Sequence, residues 1–571
     1  MMSHWKQTRT RAPLLAAAAV FLMGIALPTL SAAEEAPVYG ERCLRQYLST
    51  FEEMVVPLDP GTPMTGDGMT PPPDPGLGDS WLWYIWHLNG FPWAEQKMCT
   101  VRGIGPNVYV VVEDSQWNVN VFQDDIDYVV DRFENSSIGD YPDQGIWDLN
   151  TTHFGMPPDA LDDDPRVYVL YYDFDVNADG FFWIYDQYPD GTQPFESNEC
   201  EVVYMNCSDN DPGGDYLTAV VAHEFEHMIH FATDQNEVAW VDEGCGELAM
   251  WLYGHPDQVV AFPYMPDNDL TDWNDGMGFA NYVQTYLWTL YFFEQYGGQP
   301  SIWALTHEPM NGVPGYENVL DDMGYSESFA DVFSDWVVAN YVDDVTFLDG
   351  RYGYVGEDLP PFSATEWSVY PVGPVDATVR HWAADYIDFT NGQPQQLNFD
   401  GYDATTFATR ILTYMSGVPL NLQDMVLDGD QNGTFDLGGF GNDYDEAVLV
   451  VANITTGTGA KPYTYGTSGA SAADGGALAA GGSWLTPSPH PLRAGGRLQL
   501  RIPEAGRADL QLYDVNGRMV WSWSGSRSEP GVREIAWSGR DRSGNPIAPG
   551  TYFARLQAGD QLRSARILVV D

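Results

Sequence analysis

The chain is poor in basic side chains. Only 25 Lys and Arg stand against 82 Asp and Glu, a formal charge of −57 over 571 residues. Such a surface repels nucleic acid and anionic membrane, so neither is expected as a partner. Cysteine is scarce and odd in number, with Cys43, Cys99, Cys200, Cys207 and Cys245, so one thiol stays unpaired whatever the pairing. No long apolar run follows Leu30, which leaves no further membrane span to expect. No repeat of 20–50 residues is visible, which excludes a solenoid.

What is present points to several domains, because single cores stop growing near ~250–300 residues. Lys6, Arg9 and Arg11 precede an apolar stretch from Leu14 to Leu30 and the small residues Ser31, Ala32 and Ala33. This is the pattern of an export signal over residues 1–33, and the mature protein is expected outside the cell or on its surface. In that oxidising setting Cys43–Cys99 and Cys200–Cys207 are the candidate bridges, with connectivity open on sequence alone. Cys245 is then the odd thiol, read as a small buried hydrophobe.

Residues 34–100 are rich in Pro, Gly and Asp and read as a lead segment or propeptide. From 101 to 373 short β-like runs, Val108–Val112 and Val167–Tyr172, give way to helical patterns. Asp215 is placed to cap a helix through Leu217, Val221, Phe225 and Ile229, and two more helices are expected over Glu237–Tyr253 and Asn281–Tyr296. Residues 374–466 carry strand patterns and suggest a β-sandwich. A Gly, Ala and Ser linker over 467–483 leads to a second β-sandwich over 484–571, with turns at Asn516-Gly517 and Ser543-Gly544-Asn545. The charge is uneven: from Trp484 onward there are 12 Arg and 8 acidic residues, leaving 13 basic against 74 acidic side chains on the rest.

His223 and His227 stand four residues apart in a helical segment, so both imidazoles project from one face and can share a zinc ion. Glu224 beside them is positioned to take a proton from a water that the metal acidifies. A third ligand comes from Glu243 or Glu247, one helical turn apart, the other serving to orient a ligating His such as His223. His230 lies a turn beyond His227 and reads as packed polar rather than as a ligand. Tyr282 and Tyr286 are candidate donors to an oxyanion. Asp175, Asn177, Asp179 and Asp186 surround Gly180 at the spacing of a calcium loop, and Asp428, Asp430, Asn432 and Asp436 repeat the pattern.

The run His223-Glu-Phe-Glu-His-Met-Ile-His230 with Trp240-Val-Asp-Glu-Gly-Cys-Gly-Glu247 resembles the gluzincin metallopeptidases, in particular hyicolysin-like and immune-inhibitor-A-like secreted bacterial enzymes. The resemblance covers about residues 165 to 298. It implies an α+β zincin-like catalytic domain, Glu243 as the zinc ligand, and Asn198–Tyr204 as an edge strand that pairs with an extended peptide substrate. Asp242 stands where that family has Asn, and Cys245 where an aliphatic residue is common.

Leu512–Arg518, Ala536–Gly544 and Gly550–Leu556 resemble the immunoglobulin-like domain of flagellar hook-capping proteins and of type IX secretion sorting domains, which implies contact with secretion machinery or the cell surface. The whole is expected to be a monomeric multidomain protein, its α+β catalytic unit followed by two all-β sandwich modules, hydrolysing polypeptide with zinc and with calcium as a second metal. The rival expectation is a calcium-dependent surface adhesion protein with a structural metal site. It is disfavoured because a structural site closes its fourth position with a protein ligand and needs no base such as Glu224.

Overall fold

The computed structural model describes residues 54–56 and 71–469, apart from 160, 163, 209 and 274–277, and the strands with some short connections between 485 and 569. The export signal, Cys43, most of the expected linker and both expected turns lie outside the described residues.

The first unit is built on a six-stranded sheet. Its strands are β1 (Ser80–His87), β2 (Trp93–Ile104), β3 (Val108–Glu113), β4 (Val167–Tyr172), β5 (Gly180–Phe182) and β6 (Val202–Asn206), in the order β1-β2-β3-β4-β6-β5. β3, β4 and β6 run parallel and are buried at every residue, which is why they read as continuous apolar runs. The sheet starts inside the segment expected to be a lead or propeptide, and the expected boundary at residue 101 cuts through β2. The Pro and Gly of the preceding stretch obscured the alternation of Trp81, Trp83 and Ile85, which pair antiparallel with β2.

Eight helices follow or interrupt the sheet among the described residues: α1 (Gln123–Glu134), α2 (Ile146–His153), α3 (Asp215–Thr233), α4 (Ala239–Tyr253), α5 (Phe279–Gln295), α6 (Gln299–Leu305), α7 (Val313–Met323) and α8 (Phe329–Val342). α3 is buried on all sides from Leu217 to His230, the signature of a central helix rather than an amphipathic surface one. Asp215 is the first helical residue rather than the cap; Gly214 occupies the cap position, and Tyr128 donates to the Asp215 carboxylate. α4 ends where Gly254 turns left-handed at φ 107°.

Cys200 and Cys207 are separate buried thiols, not a bridge. They flank extended β6, whose five residues span roughly 17 Å, far beyond disulfide reach. Cys99 is also a buried free thiol.

A five-stranded sheet, in the order Val418–Asp424, Phe407–Met415, Glu446–Asn453, Ala383–Thr390 and Thr365–Trp367, belongs to the same compact unit as the helices. The two share one core: Trp382 packs edge-on against Phe329 and Phe333, and the Tyr386 hydroxyl donates to the Val337 carbonyl at 2.6 Å. The expected separate sandwich is therefore fused to the helical layer through aromatic packing.

The C-terminal segment has its own core, including Leu498, Leu510, Trp537, Leu556 and Ile567. It lies between a three-stranded sheet and a four-stranded one whose central strands are Gly506–Asp514 and Gly550–Ala558. The protein is thus multidomain and β-rich. Among the described residues no helix is long and apolar enough to cross a membrane.

Candidate metal centre

α3 and α4 cross so that His223 and His227 from one helix meet Glu243 from the other. His223 Nε2 lies 3.0 Å from His227 Nε2 and 3.3 Å from Glu243 Oε2, and His227 Nε2 lies 3.8 Å from the same carboxylate oxygen. A tetrahedral zinc with bonds of about 2.0–2.1 Å separates its ligand atoms by about 3.3 Å. The three distances bracket that value, and the donor set of two imidazoles and one carboxylate is one that zinc takes, so the residues present fit the metal. All three side chains are buried. Burial, followed by the neighbouring His227, holds the His223 pKa below its usual value, which favours the neutral, ligating form.

The outer nitrogens of both imidazoles face carboxylates. His227 Nδ1 donates to Asp242 Oδ1 at 3.2 Å, and His223 Nδ1 faces Glu247 Oε1 at 3.6 Å, a charge contact longer than a hydrogen bond. Glu247 is thus near the His that spacing assigned to it. Asp242 as the partner of His227 was not anticipated; its position immediately before the ligand Glu243 was the available signal.

Close approach of the helices depends on glycine. A Cβ on Gly246 would lie 2.8 Å from the His223 ring, so this helix turn must lack a side chain for the imidazole to sit there. On the sheet side, a Cβ on Gly180 of β5 would stand 3.0 Å from Glu224 Cγ. Glu224 therefore lies directly under β5, fully buried.

β5, rather than the Asn198–Tyr204 run, is the edge strand next to this centre. β6, which holds the end of that run, is interior, between β4 and β5. β5 was too short and too close to the acidic loop to be read as a strand.

The expected calcium quartet is split. Asp175 accepts from the Leu88 amide at 2.8 Å and faces His87, while Asn177 is exposed. Asp179 accepts from Tyr216 at 2.5 Å and Asn210 at 2.6 Å. Asp186 lies past β5 in a short 3₁₀ turn that buries it, accepting from the Asn198 amide and the Tyr204 hydroxyl, each at 2.6 Å. Asp175, Asp179 and Asp186 do not converge on one point. In the second acidic loop, Asp428 closes its own turn by accepting from the amides of Asp430 and Asn432.

Tyr282 and Tyr286 lie on α5. The Tyr286 hydroxyl is engaged with Glu357 at 2.6 Å, and Tyr282 packs edge-on against Trp273 with ring centroids 4.9 Å apart. His230 is buried behind His227, between Glu226 and Asp242. Burial would lower its pKa, but Glu226 and Asp242 raise it to about 10.

Residues 493–561 match the family model of the FlgD Ig-like domain. No curated protein matches the chain. Among solved structures, the chain is similar to PorZ of Porphyromonas gingivalis, described as an essential bacterial surface component of the type-IX secretion system. The identity is 21% over 22% of this chain and 14% of that one, with a TM-score of 0.13. Dimeric latent PorU from Porphyromonas gingivalis is similar at 14% identity over 37% of this chain and 19% of its own, with a TM-score of 0.14. A β-glucuronidase from glycoside hydrolase family 2 gives 11% identity over 31% of this chain and 22% of its own, with a TM-score of 0.13. The chain spans less than a quarter of each of these three structures.

Proposed function

We propose that the chain is a secreted zinc-dependent endopeptidase of zincin-like fold, acting outside the cell or at its surface. The observation that carries the reading is the convergence of His223 Nε2, His227 Nε2 and Glu243 Oε2 beside a buried Glu224. His223, His227 and Glu243 would hold zinc, which would supply Lewis acidity toward a water and a carbonyl. Glu224 takes the proton from the attacking water and passes it to the amine nitrogen that leaves as the peptide bond breaks. Asp242 holds the His227 ring by its outer nitrogen, and Glu247 faces that of His223. β5, the outer strand of the sheet above Glu224, is the strand we assign to pairing with an extended polypeptide backbone. The FlgD Ig-like match at the C-terminus supports a role for that unit in export or surface attachment.

The test is Glu224→Gln in the mature full-length protein. It should keep its zinc and lose at least about 10²-fold in kcat on casein, since general base catalysis contributes on that order or more. Full activity in this variant, or a zinc-loaded wild type that cleaves no polypeptide, would overturn the reading; the second result would favour a binding module.

A further inference from the structure

The α3–α4 interface contains a second group of metal-ligating side chains that the proposed reaction does not use. Glu226 and His230 stand one turn apart on α3, and Cys245 faces them from α4. A carboxylate oxygen, an imidazole nitrogen and the thiol sulfur of these residues lie within 4.8 Å of one another. All three residues are buried, at 0%, 1% and 0% exposure. His230 Nδ1 lies 3.3 Å from Glu226 Oε1 and 3.2 Å from Asp242 Oδ1.

The polar atoms of this group lack ordinary partners. Both Glu226 oxygens and His230 Nε2 make no hydrogen bond. Glu226 forms ion pairs only with His227 and His230 among the described residues, with no Lys or Arg within reach. An interior carboxylate whose oxygens make no hydrogen bond is costly, and a second carboxylate, Asp242, stands against the same imidazole. A divalent cation is a compact group that offsets both carboxylates at once.

We propose that Glu226, His230 and Cys245, with Asp242 at the border, form a second interior metal site that takes zinc. The donor set decides the metal class. Thiolate and imidazole suit zinc, whereas calcium and magnesium require oxygen shells. Four protein donors would close the coordination and make the site structural, unlike the first centre with three ligands and the adjacent base Glu224. Asp242 Oδ1 lies 3.2 Å from both His227 Nδ1 and His230 Nδ1, so the second ion would also steady the carboxylate that orients a ligand of the first. Loading replaces the Cys245 S–H proton and one N–H proton of the His230 imidazolium with the metal and releases both protons to solvent.

The experiment is cobalt(II) titration of the chelator-stripped full-length mature protein. Two equivalents should bind, one of them with the near-ultraviolet sulfur-to-cobalt charge-transfer band of a thiolate ligand. The first centre offers only nitrogen and oxygen, so the band reports on the second site alone. Cys245→Ser should abolish the band and leave one equivalent. Glu243→Ala should weaken the other equivalent at least about tenfold and keep the band. Wild-type protein that binds a single equivalent without the band, or a band that survives Cys245→Ser, would overturn the proposal. Should Cys245→Ser fail to fold, sulfur scattering in the X-ray absorption spectrum of the zinc-loaded wild type decides the matter, its absence overturning the site. None of these outcomes depends on peptidase activity.

Discussion

At the scale of single residues, Asp242 governs how well His227 can bind a metal. An imidazole ligates through one nitrogen, and the hydrogen bond made by the other fixes its tautomer and its tilt. Here that bond runs from His227 Nδ1 to Asp242 at 3.2 Å. Removing it in Asp242→Ala should lower zinc affinity at the first centre about 10–100-fold, read by competition with a chromophoric chelator. Asp242→Asn keeps an acceptor oxygen and should lose less. Equal affinity in the wild type and in Asp242→Ala would show that the helix packing alone orients His227. His223 has the weaker support of a 3.6 Å contact with Glu247, so Glu247→Gln should cost less than Asp242→Ala in the same assay.

At the scale of elements, the centre exists because α3 and α4 approach more closely than ordinary side chains allow. Gly246→Ala separates two opposing effects. Alanine in a helix interior is favoured over glycine by about 1 kcal/mol. Its Cβ, however, would meet the His223 ring at 2.8 Å, and in a packed interior that contact has to displace the imidazole. The variant should keep its helical circular dichroism and bind zinc at least tenfold more weakly, roughly the loss expected when a ligand's support is removed. Unchanged affinity would mean that α4 can shift without loss to the centre. The same geometry explains what was legible beforehand. The pairs His223 and His227, and Glu243 and Glu247, share helix faces by spacing alone, and β4 and the fully buried helices announce themselves through apolar runs. The crossing of α3 over α4, which decides that Glu243 rather than Glu247 reaches both imidazoles, is a tertiary fact. So is the path of the chain after Gly180, which carries Asp186 into the core and away from the acidic loop. β1 and β5 were lost for local reasons, one behind a Pro-rich stretch and the other within three residues.

At the scale of the whole molecule, two kinds of acidic group respond differently to solvent. Among the described residues most carboxylates are not buried, and a net charge of −57 over the chain is self-repelling. A buried minority has pKa values raised by desolvation: Asp186, Glu237 and Asp385 each to about 7, and Glu201 well above the usual range through burial and the adjacent Asp162. A carboxyl whose folded pKa exceeds its unfolded value gives stability that is complete below the unfolded pKa and is lost as pH rises through the folded one. Stability should therefore fall from pH 6 to pH 9, by about 1 kcal/mol for each of the three groups near 7. In the zinc-saturated protein this appears as a Tm that drops by several degrees over that range, the reverse of acid denaturation. Surface carboxylates are already ionised throughout the window, so they contribute a salt dependence and little pH slope. Raising salt from about 0.01 M to 0.15 M shortens the screening length from about 30 Å to 8 Å and should raise Tm at every pH while leaving the slope in place. Asp186→Asn, which removes one interior titration while keeping the side-chain shape, should flatten the slope by its share. A slope that vanishes in salt, or that Asp186→Asn leaves untouched, would assign the pH response to surface repulsion and would mean that the buried carboxyls are ionised in the folded protein at neutral pH.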